Sequence, residues 1–308
     1  MKTTERGFAL IAVLLVLGLL GIVGAEFAYT VRLEASAMRA WKDNISAAHL
    51  AEAAVEQAFR EISANIESVS EASDGLLTFY GRNGVPLPRL PRTKVQLGPG
   101  EFSYRITDEQ ARLSVNGASS ERLDRLLQCL GVDKIARDHI VDSILDWIDA
   151  NEEHRLNGAE SEDYYLTLPT PYRARNGAIE SVNELLQIKG VTPALFEGAA
   201  GKPGLRDVLT ARVAGAPNIN TAGPVVFCAM TVSDAEISEV IQTRRETPYT
   251  AQANRLSGRG FGVVTQTFRI EAEGFLDGRP RASLTAIVQR RNVSGGTVVT
   301  VLEWSGIR

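Results

Sequence analysis

The sequence predicts an α+β protein in which one long N-terminal helix packs on a small antiparallel sheet and a helical domain interrupts that sheet. Three observations predict it. An uncharged apolar run at residues 8–25 passes without a break into a helical stripe. Two-residue alternation appears at residues 94–107 and returns only from residue 263 onwards. Between these two regions the pattern is helical and repeats itself.

The first element is the apolar run FALIAVLLVLGLLGIVGA, residues 8–25. As a helix it spans about 27 Å, close to the hydrocarbon thickness of a bilayer. Lys2 and Arg6 against Glu5 favour keeping residues 1–7 cytoplasmic and sending the bulk of the chain across the membrane. A retained anchor and a cleaved secretory signal, with Val23-Gly24-Ala25 at the cut, both fit this segment. Helical spacing then continues through Met38, Trp41, Ile45, Ala48, Val55, Phe59, Ile62, Ile66 and Val69, with no proline before Pro86. Two separate helices would satisfy the pattern. A bilayer-buried half followed by an amphipathic half favours one stalk from Phe8 to about Val69, on the order of 90 Å long.

A Gly/Pro-rich connector covers residues 74–91, and residues 94–107 form a hairpin turning at Gly98-Pro99-Gly100, with Phe102, Tyr104 and Ile106 on one face. The late strands are residues 263–275, 282–290 and 297–304, punctuated by Asp277-Gly278 and Gly295-Gly296. These limits divide the chain into 1–7, 8–25, 26–107, an insert at 108–258 and a strand region at 259–308.

The insert contains a repeat. Residues 126–132, LLQCLGV, match residues 185–191, LLQIKGV, at five of seven positions, and residues 226–232, VFCAMTV, form a weaker third copy. Val115-Asn116, Val182-Asn183 and Ile219-Asn220 lead into the copies, each with an asparagine placed to cap a helix. Second helices begin near Asp133, Thr192 and Ser233, which makes the units helix–hairpin–helix in pattern.

Charge and composition exclude several functions. The chain has 308 residues, 33.4 kDa and a net charge of −4, an ordinary globular mix without a global attraction to nucleic acid. Residues 111–250 hold 14 lysines and arginines against 20 aspartates and glutamates, so the hairpins are read as scaffold and no nucleic acid is expected as partner. No catalytic site is expected either. His49, His139 and His154 are the only histidines, and neither a zinc-binding histidine pair nor a Gly-x-Ser-x-Gly elbow occurs. Cys129 and Cys228 fall in the first and third repeats, one position out of register. A disulfide and two small buried apolar groups are both open; similar places in two repeats need not adjoin in space, which leans toward the second. One stretch is rich in oxygen ligands: Asp146, Asp149, Asn151, Glu152, Glu153, Glu160, Glu162 and Asp163. Such a loop can supply the six to eight oxygens of Ca²⁺. Its spacing is not that of an EF-hand, and a solvated acidic face reads equally well.

Several motifs then carry a resemblance. A basic leader ends at Gly7 and Phe8 opens the apolar run, which resembles the leader of type IV pilins and pseudopilins, cut between Gly7 and Phe8 with the helix retained. Further along stand Asp108-Glu109-Gln110-Ala111-Arg112-Leu113 with Asn116, Asp146-Trp147-Ile148-Asp149, Gly158-Ala159-Glu160 and Asp163-Tyr164-Tyr165. Pro171-Tyr172-Arg173, Ser181-Val182-Asn183-Glu184-Leu185, Lys189-Gly190-Val191-Thr192 and Asn218-Ile219-Asn220-Thr221-Ala222 complete the set. In this order they resemble the K-type minor pseudopilins of the type II secretion system. One departure from other pilins fits that family: Ala12 stands where most carry a glutamate, which pairs with a neighbouring subunit's terminal ammonium.

The resemblance implies a pilin-like body with a helical insert, anchored in the bacterial inner membrane with its bulk in the periplasm. It implies I- and J-type minor pseudopilins, the major pseudopilin and a prepilin peptidase as partners, and contact with secreted exoproteins. Its implied work is to initiate or cap the fibre that drives folded exoproteins through the outer membrane, without catalysis. It also implies calcium at the acidic loop, with Asp149, Glu160, Glu162 and Asp163 as the ligands expected. Glu160-Ser161-Glu162-Asp163 holds one residue more than the family's common Ala-Glu-Asp-Asp order. A minor pilin of a type IV pilus and a membrane-anchored DNA-uptake protein are the alternatives.

Overall fold

The computed structural model describes residues 4–72, 74–199, 201–251, 256, 258–294 and 296–306, with backbone alone at residues 4–8 and 83. Residues 1–3 of the expected leader lie outside the described residues, and Gly7 and Phe8 sit within the first helix.

That helix, α1 (Thr4–Ile62), is unbroken over 59 residues. Its first part is exposed along its whole apolar length, from Leu10 to Val23 and on to Trp41. Its last part buries Ala47, Leu50, Ala51, Ala54, Val55, Ala58 and Ile62. Alanines dominate this face because helix and sheet nearly touch. A side chain at Gly274 would strike the Ala47 carbonyl, and one at Gly100 would strike Leu50 and the Phe275 carbonyl. The helix stops at Ile62 rather than near Val69. The Arg290 guanidinium donates to the carbonyl of Ile62 (3.0 Å), the last of the helix, and to that of Ala64 just beyond it (2.9 Å).

Ile66 and Val69 still enter the core, but from the chain beyond the helix. Val69 belongs to β1 (Ser68–Glu71), which pairs with β2 (Leu77–Tyr80); this hairpin occupies part of what reads as a connector. β3 (Val95–Leu97) and β4 (Gly100–Asp108) form the expected hairpin, with Phe102, Tyr104 and Ile106 buried against α1. The chain then leaves the sheet through the short β5 (Leu113–Ser114), α2 (Ser120–Cys129) and α3 (Lys134–Ile148). After a 3₁₀ segment at Val182–Gln187 come α4 (Pro193–Glu197), the small hairpin β6 (Gly198–Ala199) and β7 (Lys202–Pro203), α5 (Leu205–Val208) and β8 (Leu209–Thr210). β8 pairs in parallel with β5. α6 (Pro224–Ala229) and α7 (Asp234–Glu246) close the insert.

The chain returns as β9 (Thr267–Leu276), β10 (Arg279–Val293) and β11 (Gly296–Ser305), giving an antiparallel sheet of order β11-β10-β9-β4-β3. The insert therefore extends to about residue 266, past the expected 258, because Phe261 packs on Phe227 inside it with ring centroids 5.0 Å apart. Two separate apolar cores result, one under α1 and one within the insert.

Candidate functional site

Two features are candidates for function: the anchor helix and the acidic loop. The joint between sheet and insert fixes how they stand to one another. At the end of β4, buried Asp108 accepts from Thr265 Oγ1 (2.6 Å), Thr221 Oγ1 (2.5 Å), Asn218 Nδ2 (3.1 Å) and the Gln110 amide (2.8 Å). Burial pushes its carboxyl up to about 6, against the pull of these four donors. Next to it, Glu109 is fully buried. It takes two bonds from Arg269, one from Arg112 (3.0 Å) and one from Thr210 (2.7 Å). Burial raises the Glu109 carboxyl, but the two guanidiniums outweigh it and hold it below its usual range. The motifs at residues 108–113 and 218–222 are thus this joint.

The asparagines expected to cap helices do something else. Asn116 exchanges hydrogen bonds with the Ile179 backbone (2.9 and 2.8 Å), and Asn220 does so with Tyr249 (2.9 and 2.7 Å). They tie distant segments together. The caps of the first and middle units are Ser119 and Ser181. Asp133, Thr192 and Ser233 do cap the second helices. Asp133 accepts from the amides of Ile135 and Ala136, and Glu236 closes a capping box with Ser233. The long second helices therefore present carboxylates where a phosphate would dock.

α2 and α6 pack against one another, and the Cys129 and Cys228 sulfurs lie 1.99 Å apart as a disulfide, with Cα atoms separated by 6.3 Å. Places that need not adjoin do adjoin, because the first and third hairpins stack.

The acidic loop hangs from the end of α3. Asp146 is fully buried, accepting from the amides of Arg155 and Ala159 (2.9 Å) and from Arg155 Nη1 (2.6 Å). Gly158 is required beside it, since a side chain there would collide with the Asp146 carboxylate. Asp149 caps α3 and shares Arg155 Nη1 at 2.6 Å. Glu152 accepts from the Ser161 amide (3.3 Å) and hydroxyl (3.2 Å) and from Asn176 Nδ2 (2.9 Å). Asp163 Oδ1 accepts from the Glu160 amide at 2.9 Å.

Glu160 is the exception. It is 1% exposed, and neither of its carboxylate oxygens has a hydrogen-bond partner. Burial, together with the charges of Asp146, Glu152, Asp149 and Asp163, pushes it up to about 7. Of the four expected ligands, Asp149, Glu160 and Asp163 share this field, while Glu162 turns outward to pair with Arg173 at 3.2 Å. Asp146 and Glu152 lay within the acidic run but outside the expected set. Among the described residues no three acidic, histidine or cysteine groups are arranged to hold one ion, because Arg155, Asn176 and Ser161 already engage the neighbouring carboxylates. The orphaned Glu160 and its hard oxygen neighbours nonetheless fit the chemistry of Ca²⁺.

α1 is long and apolar enough to cross a membrane once, and among the described residues nothing covers its apolar part. A long apolar helix that becomes the packing helix of an antiparallel sheet, with a helical domain inserted between two sheet strands, is a pilin-like fold. Residues 104–200 match the family model described as type II secretion system (T2SS), protein K. The type II secretion system protein K of Pseudomonas aeruginosa is 29% identical across 94% of this chain and 90% of that protein. Its counterpart from Pectobacterium carotovorum subsp. carotovorum is 26% identical across 64% of this chain and 61% of that one. A chain in the crystal structure of the GspK-GspI-GspJ complex from the enterotoxigenic Escherichia coli type 2 secretion system shares the fold. It has a TM-score of 0.58 at 15% identity, covering 90% of this chain and 99% of that one. The chain is thus similar to type II secretion system protein K over most of its length, and residues 104–200 carry the match to that family's model.

Proposed function

We propose that this chain is the minor pseudopilin at the periplasmic tip of a type II secretion pseudopilus. It initiates or caps the fibre together with I- and J-type minor pseudopilins, so that folded exoproteins cross the outer membrane. The observation that carries this is α1, bare and apolar within the membrane span yet locked to the sheet above it, with Ala12 in place of a membrane-buried carboxylate. A subunit with none above it has no ammonium to neutralise, and an unpaired glutamate in hydrocarbon would be costly. The role proposed is structural. The anchoring membrane is the inner one.

The acidic loop supports a calcium site in which Glu160 is the central ligand and Asp149, Glu152 and Asp163 contribute. When bound, calcium would supply the positive charge that the Glu160 carboxylate lacks. Glu160 would hold the ion, Gly158 leaves room for Asp146, and Lys189 steadies the loop through the Gly158 carbonyl at 2.9 Å. The DNA-uptake alternative is disfavoured by the acidic caps and the charge of the hairpins.

The test is genetic and chemical together. Deleting the gene should abolish exoprotein secretion, and the full chain should restore it. A version beginning at Glu26 behind a cleavable signal should not. Intact mass of membrane-purified protein should give a chain starting at Phe8 with an added methyl group. A chain starting at Glu26, or secretion unaffected by the deletion, overturns the reading.

A further inference from the structure

The five-stranded sheet ends in two unlike edges. One is β3, three residues long. Above it the Arg92 carbonyl accepts from the Tyr104 amide, so the preceding chain goes on covering β4. The other edge is β11, ten residues long. It pairs with β10 from Gly296 to Ser305, and among the described residues no other backbone hydrogen bond reaches it. In a paired strand the N–H and C=O groups of successive residues point alternately to either side. About half of those in β11 therefore have no protein partner.

Natural sheets blunt an open edge with lysines, prolines or very short strands. β11 reads GTVVTVLEWS and has none of these. Its one charge, Glu303, is already held by Ser181 Oγ (3.0 Å) and Arg212 Nε (3.1 Å) of the insert. Trp304, Val301 and Val299 lie opposite Ala286, Val288 and Arg290, which places them on the face that packs on α1. Trp304 and Val301 are 44% and 42% exposed, and Val298 on the other face is 47% exposed. Edge and side chains together are a template for one more strand.

The direction of β11 decides what that strand belongs to. Gly274, opposite Ala282 of β10, sits by Ala47 of α1, and Arg290 further along β10 reaches the Ile62 carbonyl. β10 therefore climbs with α1, away from the anchor, and β11 descends toward it. β3 descends too, because β4 climbs from Gly100, beside Leu50, to Asp108, opposite Phe268. A second copy, or any head of this topology anchored in the same bilayer, thus offers only descending edges and meets β11 in parallel. Antiparallel pairing is the more stable and the more common arrangement. Its strand has to climb away from the membrane, and such a strand comes from outside the fibre. We propose that β11 takes up, by antiparallel strand addition, an extended segment of the exoprotein carried by the pseudopilus. The segment sets alternate apolar side chains beside Val299, Val301 and Trp304. Main-chain hydrogen bonds carry most of the recognition and tolerate different sequences, and no free charge on β11 selects among them. This inference rests on the pseudopilin reading and gives it a point of contact with its passenger.

For the test, exoproteins are the proteins that disappear from the medium when the gene is deleted. In cells with the whole secretion system, a photo-crosslinking amino acid replaces Thr300 of β11, with Gln96 of β3 as the control position. Thr300 should join one of those exoproteins, the product mapping to an extended segment, and Gln96 should not. Val301→Lys, a charge of the kind that guards natural edges, should lower that yield about tenfold with the melting temperature unchanged. The wild-type full chain in detergent gives a second reading, with the most abundant exoprotein, purified, as the probe. Adding it should slow amide hydrogen exchange at alternate residues of β11. Crosslinks to a pseudopilin or to a second copy of this chain overturn the strand addition, and so does a yield that Val301→Lys leaves unchanged. No crosslink while secretion continues, or exchange in β11 that the exoprotein does not alter, overturns it too. All of these leave the pseudopilin reading standing. Secretion that persists after deletion of the gene overturns both.

Discussion

Arg269 of β9 grips Glu109 with two N–H···O bonds of 2.9 Å, one to each carboxylate oxygen, and this buried pair is the seam between sheet and insert. Arg269→Ala leaves the buried carboxylate with one guanidinium, Arg112, and the Thr210 hydroxyl, and should cost about 3–5 kcal/mol. Denaturant unfolding of the full chain in detergent checks this. A loss under 1 kcal/mol would mean that the seam is held by its apolar contacts instead.

Glu160 predicts a pH dependence with a definite sign. Its folded value of about 7 lies above the ordinary glutamate value of 4.5, so its contribution is complete below that ordinary value and is lost as pH rises through about 7. Without calcium the melting temperature should fall from pH 5 to pH 8. Added calcium, which favours the ionised carboxylate, should raise it more at pH 8 than at pH 5. Glu160→Gln should flatten both responses. A variant that keeps the full calcium shift would remove Glu160 from the ligand set.

The Cys129–Cys228 disulfide closes a loop of 99 residues. On the chain-entropy argument a loop of that size is worth about 4.7 kcal/mol. Thiol counting on the unreduced, denatured protein should find no reactive cysteine. Cys129→Ser with Cys228→Ser should lower stability and make it insensitive to reductant. Two reactive thiols in the native preparation would show that the pair is reduced.

Thr231 occupies the turn position held by Gly131 and Gly190 in the other two hairpins, and all three have left-handed φ, at 63°, 85° and 87°. A β-branched residue pays for that conformation where glycine does not. Thr231→Gly should therefore stabilise the insert by about 0.5–1 kcal/mol after the entropy glycine adds to the unfolded chain. A loss of stability in thermal melts would show that its hydroxyl, bonded to the Met230 carbonyl at 2.7 Å, matters more than the strain.

What could be read from the sequence is what periodicity encodes. The stalk, the residue 94–107 hairpin and the three late strands follow from apolar spacing, and the second helices of the hairpins follow from Asp133, Thr192 and Ser233. What could not be read depends on contacts between distant segments. Asn116 and Asn220 look like caps locally, but their partners lie 63 and 29 residues away. The helix end at Ile62 is set by Arg290, far along the chain. The cysteines are out of register in the repeat, and only the stacking of α2 on α6 brings them together. Glu162 and Glu152 are alike in an acidic run; which one faces inward is decided by the turn around Gly158 and the bonds of Ser161.

The unbroken α1 also sets a height. Between the end of the apolar run at Ala25 and the first buried contact at Ala47 the helix rises about 30 Å. The head is thus carried clear of the lipid headgroups on a stiff post. Each residue added to this post lifts the head by about 1.5 Å and turns it by about 100°, so only insertions near a whole number of turns keep the same face toward a neighbour. Elevation and azimuth of the head are both written into the number of residues between membrane and sheet.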